Sequence, residues 1–335
     1  MIDKRPIDRL RDGAISLEVK TPDDDSAISI MITVGDRLLV VKEKGIYEIK
    51  PADKIDPDRK NIQVPNTAQR VLPYGSNEPW VGAVLLTGNE LLKKEILNEQ
   101  VDIKGAMSLV LEVTQNIAGA KELMNVFRGT QDAELKKYSM EIKKDHSVIL
   151  PSISGLANKC KEFFQKSDHA LDGLFKIVKI FYPEMNKGGW DSLKNKVDNE
   201  STKIDNFSEV LENILPFLHL VRNARNCVEH PRIEQKIITT DFSISPDNQL
   251  LPPSIEIVHP KTPQSVVAAV GLMSQTCDSI VEIVESILVF LCNRQIRPIT
   301  GFPVRVYEFP ADQRITENVK YRYGIATENN IIHFV

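Results

Sequence analysis

The chain has 335 residues, 42% hydrophobic and 26% charged, enough apolar material to bury a core in one large domain or two modest ones. Lys and Arg number 42 against 46 Asp and Glu, so the net charge of −4 excludes the broad basic coat of a protein that sheathes nucleic acid, and any phosphate contact must be local. The four cysteines (Cys160, Cys227, Cys277, Cys292) lie far apart with no Cys-x-x-Cys pair, which argues against a zinc knuckle or disulfide framework and for reduced, buried thiols.

Met1 to Arg11 is charged and lacks the apolar run of about 7–15 residues that a secretory signal needs, so a cytoplasmic location is expected. After the acidic run Asp23-Asp24-Asp25, the alternation Ser29-Ile30-Met31-Ile32-Thr33-Val34, a turn at Gly35-Asp36 and a second strand over Leu38 to Ile49 predict a hairpin. From Pro51 to Pro79 the chain is rich in Pro, Asp and Asn, which leaves two readings open: irregular structure packed on the strands, or a flexible loop. Trp80 to Leu86 reads as a strand, and Thr87-Gly88-Asn89-Glu90 as a capping box opening a helix through Ile96.

From Ala106 the period becomes helical. Met107, Val110, Leu111, Val113, Ile117 and Ala120 share one face, and a second helix is predicted over Gln131 to Lys144. Leu171, Leu174, Phe175, Val178 and Phe181 continue the pattern. Asn206-Phe207-Ser208-Glu209 then caps a helix through Val210, Leu211, Ile214, Phe217, Leu218 and Val221, kinked at Pro216 and stopped near His230 by Pro231. Alternation at Ile238, Thr240, Phe242 and Ile244, turn residues at Pro246-Asp247-Asn248, and Ile255 and Ile257 predict an inserted hairpin over about 235–259. Thr262-Pro263 fits the N-cap and first position of a long helix through Leu291. Asp278, Glu282 and Glu285 make that apolar segment a core helix rather than a membrane span, and no membrane partner is expected. The tail ends in a predicted hairpin, Val319 to Ile325 and Ile331 to Val335, about Glu328-Asn329-Asn330.

These elements predict a mainly α protein of the α+β type. Residues 1–105 form a β-rich region, 106–295 a helical bundle carrying the inserted hairpin, and 296–335 a strand region that pairs with the N-terminal one.

The concentrated chemistry lies in Arg225-Asn226-Cys227-Val228-Glu229-His230. At 100° per residue, Arg222, Arg225, Asn226, Glu229 and His230 fall within an arc of about 140°, while Val221, Ala224 and Val228 turn the opposite way. Metal-independent RNA cleavage needs a base for the 2′-hydroxyl proton, an acid for the leaving oxygen, and positive charge on the pentacoordinate phosphate. Histidine suits either proton task, and the planar arginine fork holds two phosphate oxygens. One such histidine per chain points to motifs paired from two protomers, or to a further acid–base group.

Arg225-Asn226-x-x-x-His230 resembles the Arg, polar residue, three variable positions, His pattern of the HEPN superfamily (higher eukaryotes and prokaryotes nucleotide-binding). The resemblance implies a HEPN-like helical bundle, homodimerisation with the motifs facing across a cleft, no cofactor, and metal-independent ribonuclease activity in toxins and antiviral defence. It assigns Arg225 to phosphate, Asn226 to orienting its neighbours and His230 to proton transfer. Arg222 and Glu229 are added from the helical arc. RNA is the expected partner, with an antitoxin or trigger protein as a further one. The rival reading is a noncatalytic helical module that binds nucleotide, RNA or protein, in which Arg222 or Arg225 pairs with Glu229 and His230 caps the helix.

Lys136, Lys137, Lys143 and Lys144 recur seven apart and are expected on one helix face, as a solvated face or as added phosphate contacts. His146, His169, His219, His259 and His333 are scattered without metal-ligand spacing, so no metal is expected, and Trp80 and Trp190 read as packing residues. No Gly-rich phosphate loop, Walker lysine or nucleophile elbow is present in the sequence.

Overall fold

A computed structural model describes residues 4–13, 18–21, 23–185, 187–200, 205–298, 303–314, 316–327 and 331–334. The chain divides into two compact units, Met1–Leu111 with Ile296–Val335, and Glu112–Gln295.

In the first unit a short helix α1 (Pro6–Arg11) precedes strands β1 (Ile28–Val34), β2 (Arg37–Lys42) and β3 (Ile46–Lys50), then helix α2 (Ala52–Ile55) and strand β4 (Thr67–Leu72). They form one antiparallel sheet in the order β1-β2-β3-β4. Gly35 makes the predicted turn at φ 59°, a conformation that side chains with a Cβ rarely adopt. The strand expected over Leu38 to Ile49 is two strands. The chain reverses where the Lys42 N–H donates to the Gly45 carbonyl, 2.9 Å away. The continuous apolar run Leu38-Leu39-Val40-Val41 hides that break, because both sheet faces are covered and alternation is lost. β4 comes from the Pro-rich segment expected to be irregular; its residues are mostly exposed, so it carries little hydrophobic pattern to read.

Trp80 to Leu86 is not a strand. It is helical throughout: α3 (Pro79–Val81), a π-helical turn (Gly82–Leu86) and α4 (Thr87–Leu91). Val81 to Leu86 are buried all round, which gives a short helix the apolar run of a buried strand. Thr87 caps nothing; Leu86 before it is already helical, and the Thr87 hydroxyl donates to the Gly82 carbonyl at 3.0 Å.

Helix α5 (Ile103–Lys137) is followed by α6 (Leu156–Phe181), α7 (Trp190–Asp198) and α8 (Phe207–Glu229). The separate helix predicted from Gln131 is the continuation of α5, which ends at Lys137, so residues 138–144 are not helical. Asn206 makes no side-chain capping bond. The Phe207 N–H donates instead to the Asp205 carboxylate at 3.1 Å.

Strands β5 (Lys236–Thr240), β6 (Ser243–Ile244), β7 (Leu250–Leu251), β8 (Ser254–Val258) and β9 (Gln264–Ala268) lead into α9 (Ala269–Arg294). β5-β8-β9 form one antiparallel sheet and β6-β7 another. The helix expected from Thr262-Pro263 starts only at Ala269, because the residues before it pair with β8, Val267 opposite Ile255 and Gln264 opposite Ile257. Local start signals lose here to cross-strand pairing. The core of this second unit joins Met124 and Phe127 of α5, Phe163 and Phe164 of α6, Ala224 and Cys227 of α8, Ile255 and Ile257 of β8, and Met273 and Cys277 of α9.

The chain returns to the first unit with β10 (Val304–Glu308), β11 (Tyr321–Ala326) and β12 (Ile331–His333), a three-stranded antiparallel sheet of its own. The Tyr323 hydroxyl donates to the Leu91 carbonyl at 2.6 Å and Arg322 to Glu90 at 2.9 Å, tying β11 to α4. The turn expected at Glu328-Asn329-Asn330 lies outside the described residues, as does Val335.

With about 47% helix and 20% strand in four antiparallel sheets among the described residues, the chain is a mixed α+β protein. This corrects the expectation of a mainly α, HEPN-like bundle with one inserted hairpin and a small flanking β region. The strands over Thr67–Leu72, Gln264–Ala268 and Val304–Glu308 are defined by pairing with another strand, which the periodicity within each segment cannot register. No helix among the described residues is long and apolar enough to cross a membrane.

Candidate functional site on the last turns of α8

α8 buries Leu218, Val221, Ala224 and Cys227 and turns its polar side toward α6 and solvent. The two helices run antiparallel: Gln165 of α6 meets Glu229 at the end of α8, and Asp168 meets Arg222 and Arg225 nearer its middle. Asp168 is 4% exposed. Its Oδ2 accepts from Arg222 Nη1 at 2.8 Å and lies 3.7 Å from Arg225 Nε, beyond hydrogen-bond reach. Burial pushes the Asp168 carboxyl above the usual carboxylate range, outweighing the opposing pull of Arg222 and Arg225.

Arg225 extends the cluster. Its Nη2 pairs with Glu229 Oε2 at 2.7 Å, its Nη1 donates to Asn226 Oδ1 at 3.2 Å, and Glu229 Oε1 accepts from Gln165 Nε2 at 3.2 Å. The buried Arg225 Nε–H has no hydrogen bond among the described residues. Arg222 keeps 54% of its side chain exposed and is the more accessible cation. The structure therefore brings Arg222, Arg225, Asn226 and Glu229 together, on a base of Asp168 and Gln165 that sequence reasoning missed. A signal for Asp168 existed, since it interrupts the apolar spacing Phe164, Leu171, Phe175 on α6 with a charge.

α8 ends where Pro231 disfavours further helix: His230 is its C-cap, at φ −131° and ψ 61°, with its N–H donating to the Asn226 carbonyl at 2.9 Å. The residue is exposed, and its imidazole has no hydrogen-bond or ion-pair partner among the described residues. Two guanidinium groups facing two carboxylates make the cluster close to neutral, so an anion gains the Arg225 fork only by displacing Glu229 onto its second anchor, Gln165.

The four lysines expected on one helix face do not share one. Lys136 and Lys137 are exposed on the last turn of α5, where Lys137 pairs with Glu134, and Lys143 and Lys144 lie beyond the helix end. Among the described residues no group of three or more His, Cys, Asp or Glu is placed to hold a metal ion.

A cavity of about 320 Å³ opens beside the cluster, between α6, α8 and the start of α7. Asp168 and Arg222 form part of its wall, together with Phe175, Trp190, Asp191 and His219. The Trp190 ring meets the Phe175 ring edge-on, with centroids 4.9 Å apart, and His219 Nε2 lies 3.1 Å from Asp191 Oδ2. The sequence held no spacing that joined these residues; only His219, one turn before Arg222 on α8, could have drawn attention to this face.

Comparison with protein-family models, curated proteins and solved structures returned no match for this chain.

Proposed function

We propose that the protein is a metal-independent endoribonuclease of HEPN type, cytoplasmic and acting in antiviral defence or toxin-like regulation. The observation that carries this reading is an exposed, unpaired His230 at the end of a helix whose preceding turns hold Arg222 and Arg225 against a buried carboxylate. The reading rests on the motif and its surroundings, not on the overall fold.

In the reaction, one imidazole takes the proton of an RNA 2′-hydroxyl as its oxygen attacks the adjacent phosphorus. A second acid delivers a proton to the departing 5′-oxygen, leaving a 2′,3′-cyclic phosphate and a free 5′-hydroxyl. Arg225 places positive charge on the oxygens of the scissile phosphate as the pentacoordinate state forms, Asn226, accepting from Arg225 Nη1, sets the plane of that guanidinium, and Arg222, about two turns before His230, supports the charge of the neighbouring phosphate along the strand. One His230 per chain serves one proton task, so the reading includes a homodimer in which the partner's motif supplies the other.

The test is cleavage of mixed cellular RNA by wild-type and His230→Ala protein in excess chelator, with product ends analysed for cyclic phosphate. Wild-type cleavage reduced about 10²- to 10⁴-fold in the variant supports the mechanism. Equal cleavage by both proteins refutes the role of His230. A second reading, a noncatalytic module that binds nucleotide, RNA or protein, is favoured by the closed Arg225–Glu229 pair, which occupies the cation a phosphate would use. Binding of RNA without cleavage by the wild type would select it.

A further inference from the structure

The cavity beside Arg222 has a composition that the cleavage chemistry leaves unused. Its floor is the Phe175 ring, buried in α6; its wall is Trp190, half-buried at the first position of α7. Gly188 and Gly189 precede Trp190 and line the same cavity, and a Cβ at Gly189 would meet nothing within 4 Å, so that stretch of the wall is open. The Lys179 ammonium lies 5.3 Å from the Phe175 ring centroid, at the same cavity, and Arg222 bounds it on the side toward the cluster. A planar aromatic wall flanked by cations is the arrangement by which proteins hold one base of a single strand, stacking its π face while the cations take the phosphates on either side.

The carboxylates at the rim define the ligand further. Asp191 is engaged by His219 through Oδ2 and Asp172 by Lys176 at 3.2 Å, yet both acceptor side chains remain at least half exposed and both residues line the cavity. Acceptors favour a base carrying an exocyclic amino group and oppose one that offers only carbonyl oxygens there. Along α8 the cavity residues Leu218 to Asn223 precede His230 by about 12 Å of helix measured from Arg222, a separation of the order of a nucleotide or two.

We infer that this cavity is a nucleobase subsite, which holds an unpaired base bearing an exocyclic amino group (adenine, cytosine or guanine) of single-stranded RNA on Trp190 while Arg222 binds the phosphate leading toward His230. The subsite rests on the ribonuclease reading for its RNA but not for its chemistry, and the two can fail separately.

Trp190 and Trp80 are the only tryptophans in the chain. In the full-length Trp80→Phe variant, Trp190 is therefore the sole indole reporter, and its emission is titrated with AMP, CMP, UMP, ribose 5-phosphate and a six-nucleotide single-stranded RNA, while fluorescence anisotropy of labelled RNA follows binding independently. Saturable quenching by the RNA, AMP and CMP is expected, with UMP several-fold weaker and ribose 5-phosphate silent. Trp190→Ala should then raise the KM for RNA about tenfold with little change in kcat, and Trp190→Phe should restore most of the loss. RNA that binds and is cleaved while Trp190 emission stays unchanged overturns the subsite and leaves the nuclease reading intact. Nucleotide quenching without any cleavage of RNA supports the subsite and removes the nuclease. Silence toward every probe, with no RNA bound, overturns both.

Discussion

Replacing Asp168 by asparagine or alanine separates an ionic anchor from a buried carboxyl held at a cost. Breaking a fully buried ion pair costs about 3–5 kcal/mol because an unpaired charge stays inside. Here both partners have an alternative: Arg222 is 54% exposed and returns to water, and Arg225 keeps Glu229 at 2.7 Å. Solvent screening therefore removes most of that penalty, while the buried carboxylate itself pays for desolvation. Asp168→Asn, which preserves shape and an acceptor, should lie within about 1 kcal/mol of wild type at pH 7, and Asp168→Ala, which also loses the hydrogen bond and packing, should cost about 1–3 kcal/mol. Urea unfolding across pH measures both. The sign follows from the raised carboxyl of Asp168. Because the fold favours the protonated form, its stabilising contribution is present below the unfolded value near about 3.9 and is lost as pH rises through the folded one. Asp168→Asn should thus gain on wild type as pH increases from about 4 toward neutrality. A variant more than about 3 kcal/mol less stable at pH 7, with the deficit vanishing in acid, would show instead that the arginines dominate and that the burial argument is wrong.

Three further outcomes test the two units. Phe163, with no exposed surface at the centre of the second unit's core, should cost about 3–5 kcal/mol when cut to alanine, measured by chemical denaturation. Burial pushes the Cys160 and Cys277 thiols up to about 12 and raises that of Cys227, and Cys292 is buried as well; a thiol-disulfide reagent at pH 8 should label none rapidly in the native protein and four after unfolding. In the first unit Lys42 is 1% exposed and donates to the carbonyls of Val19 and Asp24 at 2.7 Å, with Asp24 Oδ1 3.4 Å away. Lys42→Ala should destabilise that unit by about 3–5 kcal/mol, seen as an early unfolding transition. Burial works against the Asp24 charge, but the Ser26 hydroxyl and N–H, with Lys42, hold its carboxyl below the usual range, so the wild-type contribution is present above about 3.9 and fades as pH falls through the folded value.

The legible parts of this chain are those whose signal is local. Periodicity found α6, α8 and α9 as helices, the Gly35-Asp36 turn needed only its own two residues, and Pro231 marked the end of α8 at His230. Because the five polar motif residues follow one another at helical spacing, their shared face needed no tertiary information. The misreadings share one cause. Trp80–Leu86 and Gln264–Ala268 carry patterns that fit more than one element, and the choice was made by burial on all sides in the first and by pairing with β8 in the second. Asp168 showed only as a charge breaking the apolar spacing of α6, and its pairing with the motif, like Gln165 and the Trp190 side of the cavity, could not be read because those residues lie on other helices, some 30 to 60 residues away.

The sequence by itself determined that a helix would present two arginines, an amide, a carboxylate and a terminal histidine in one arc, since 3.6 residues per turn and a following proline are properties of the chain alone. Only the tertiary structure decided what that arc faces: a buried acid that bonds Arg222 and lies near Arg225, an exposed imidazole, and an aromatic cavity at its side. Those depend on the antiparallel packing of α6 against α8 and on where α7 begins, and contacts between distant segments are set by how surfaces fit, which no local period encodes.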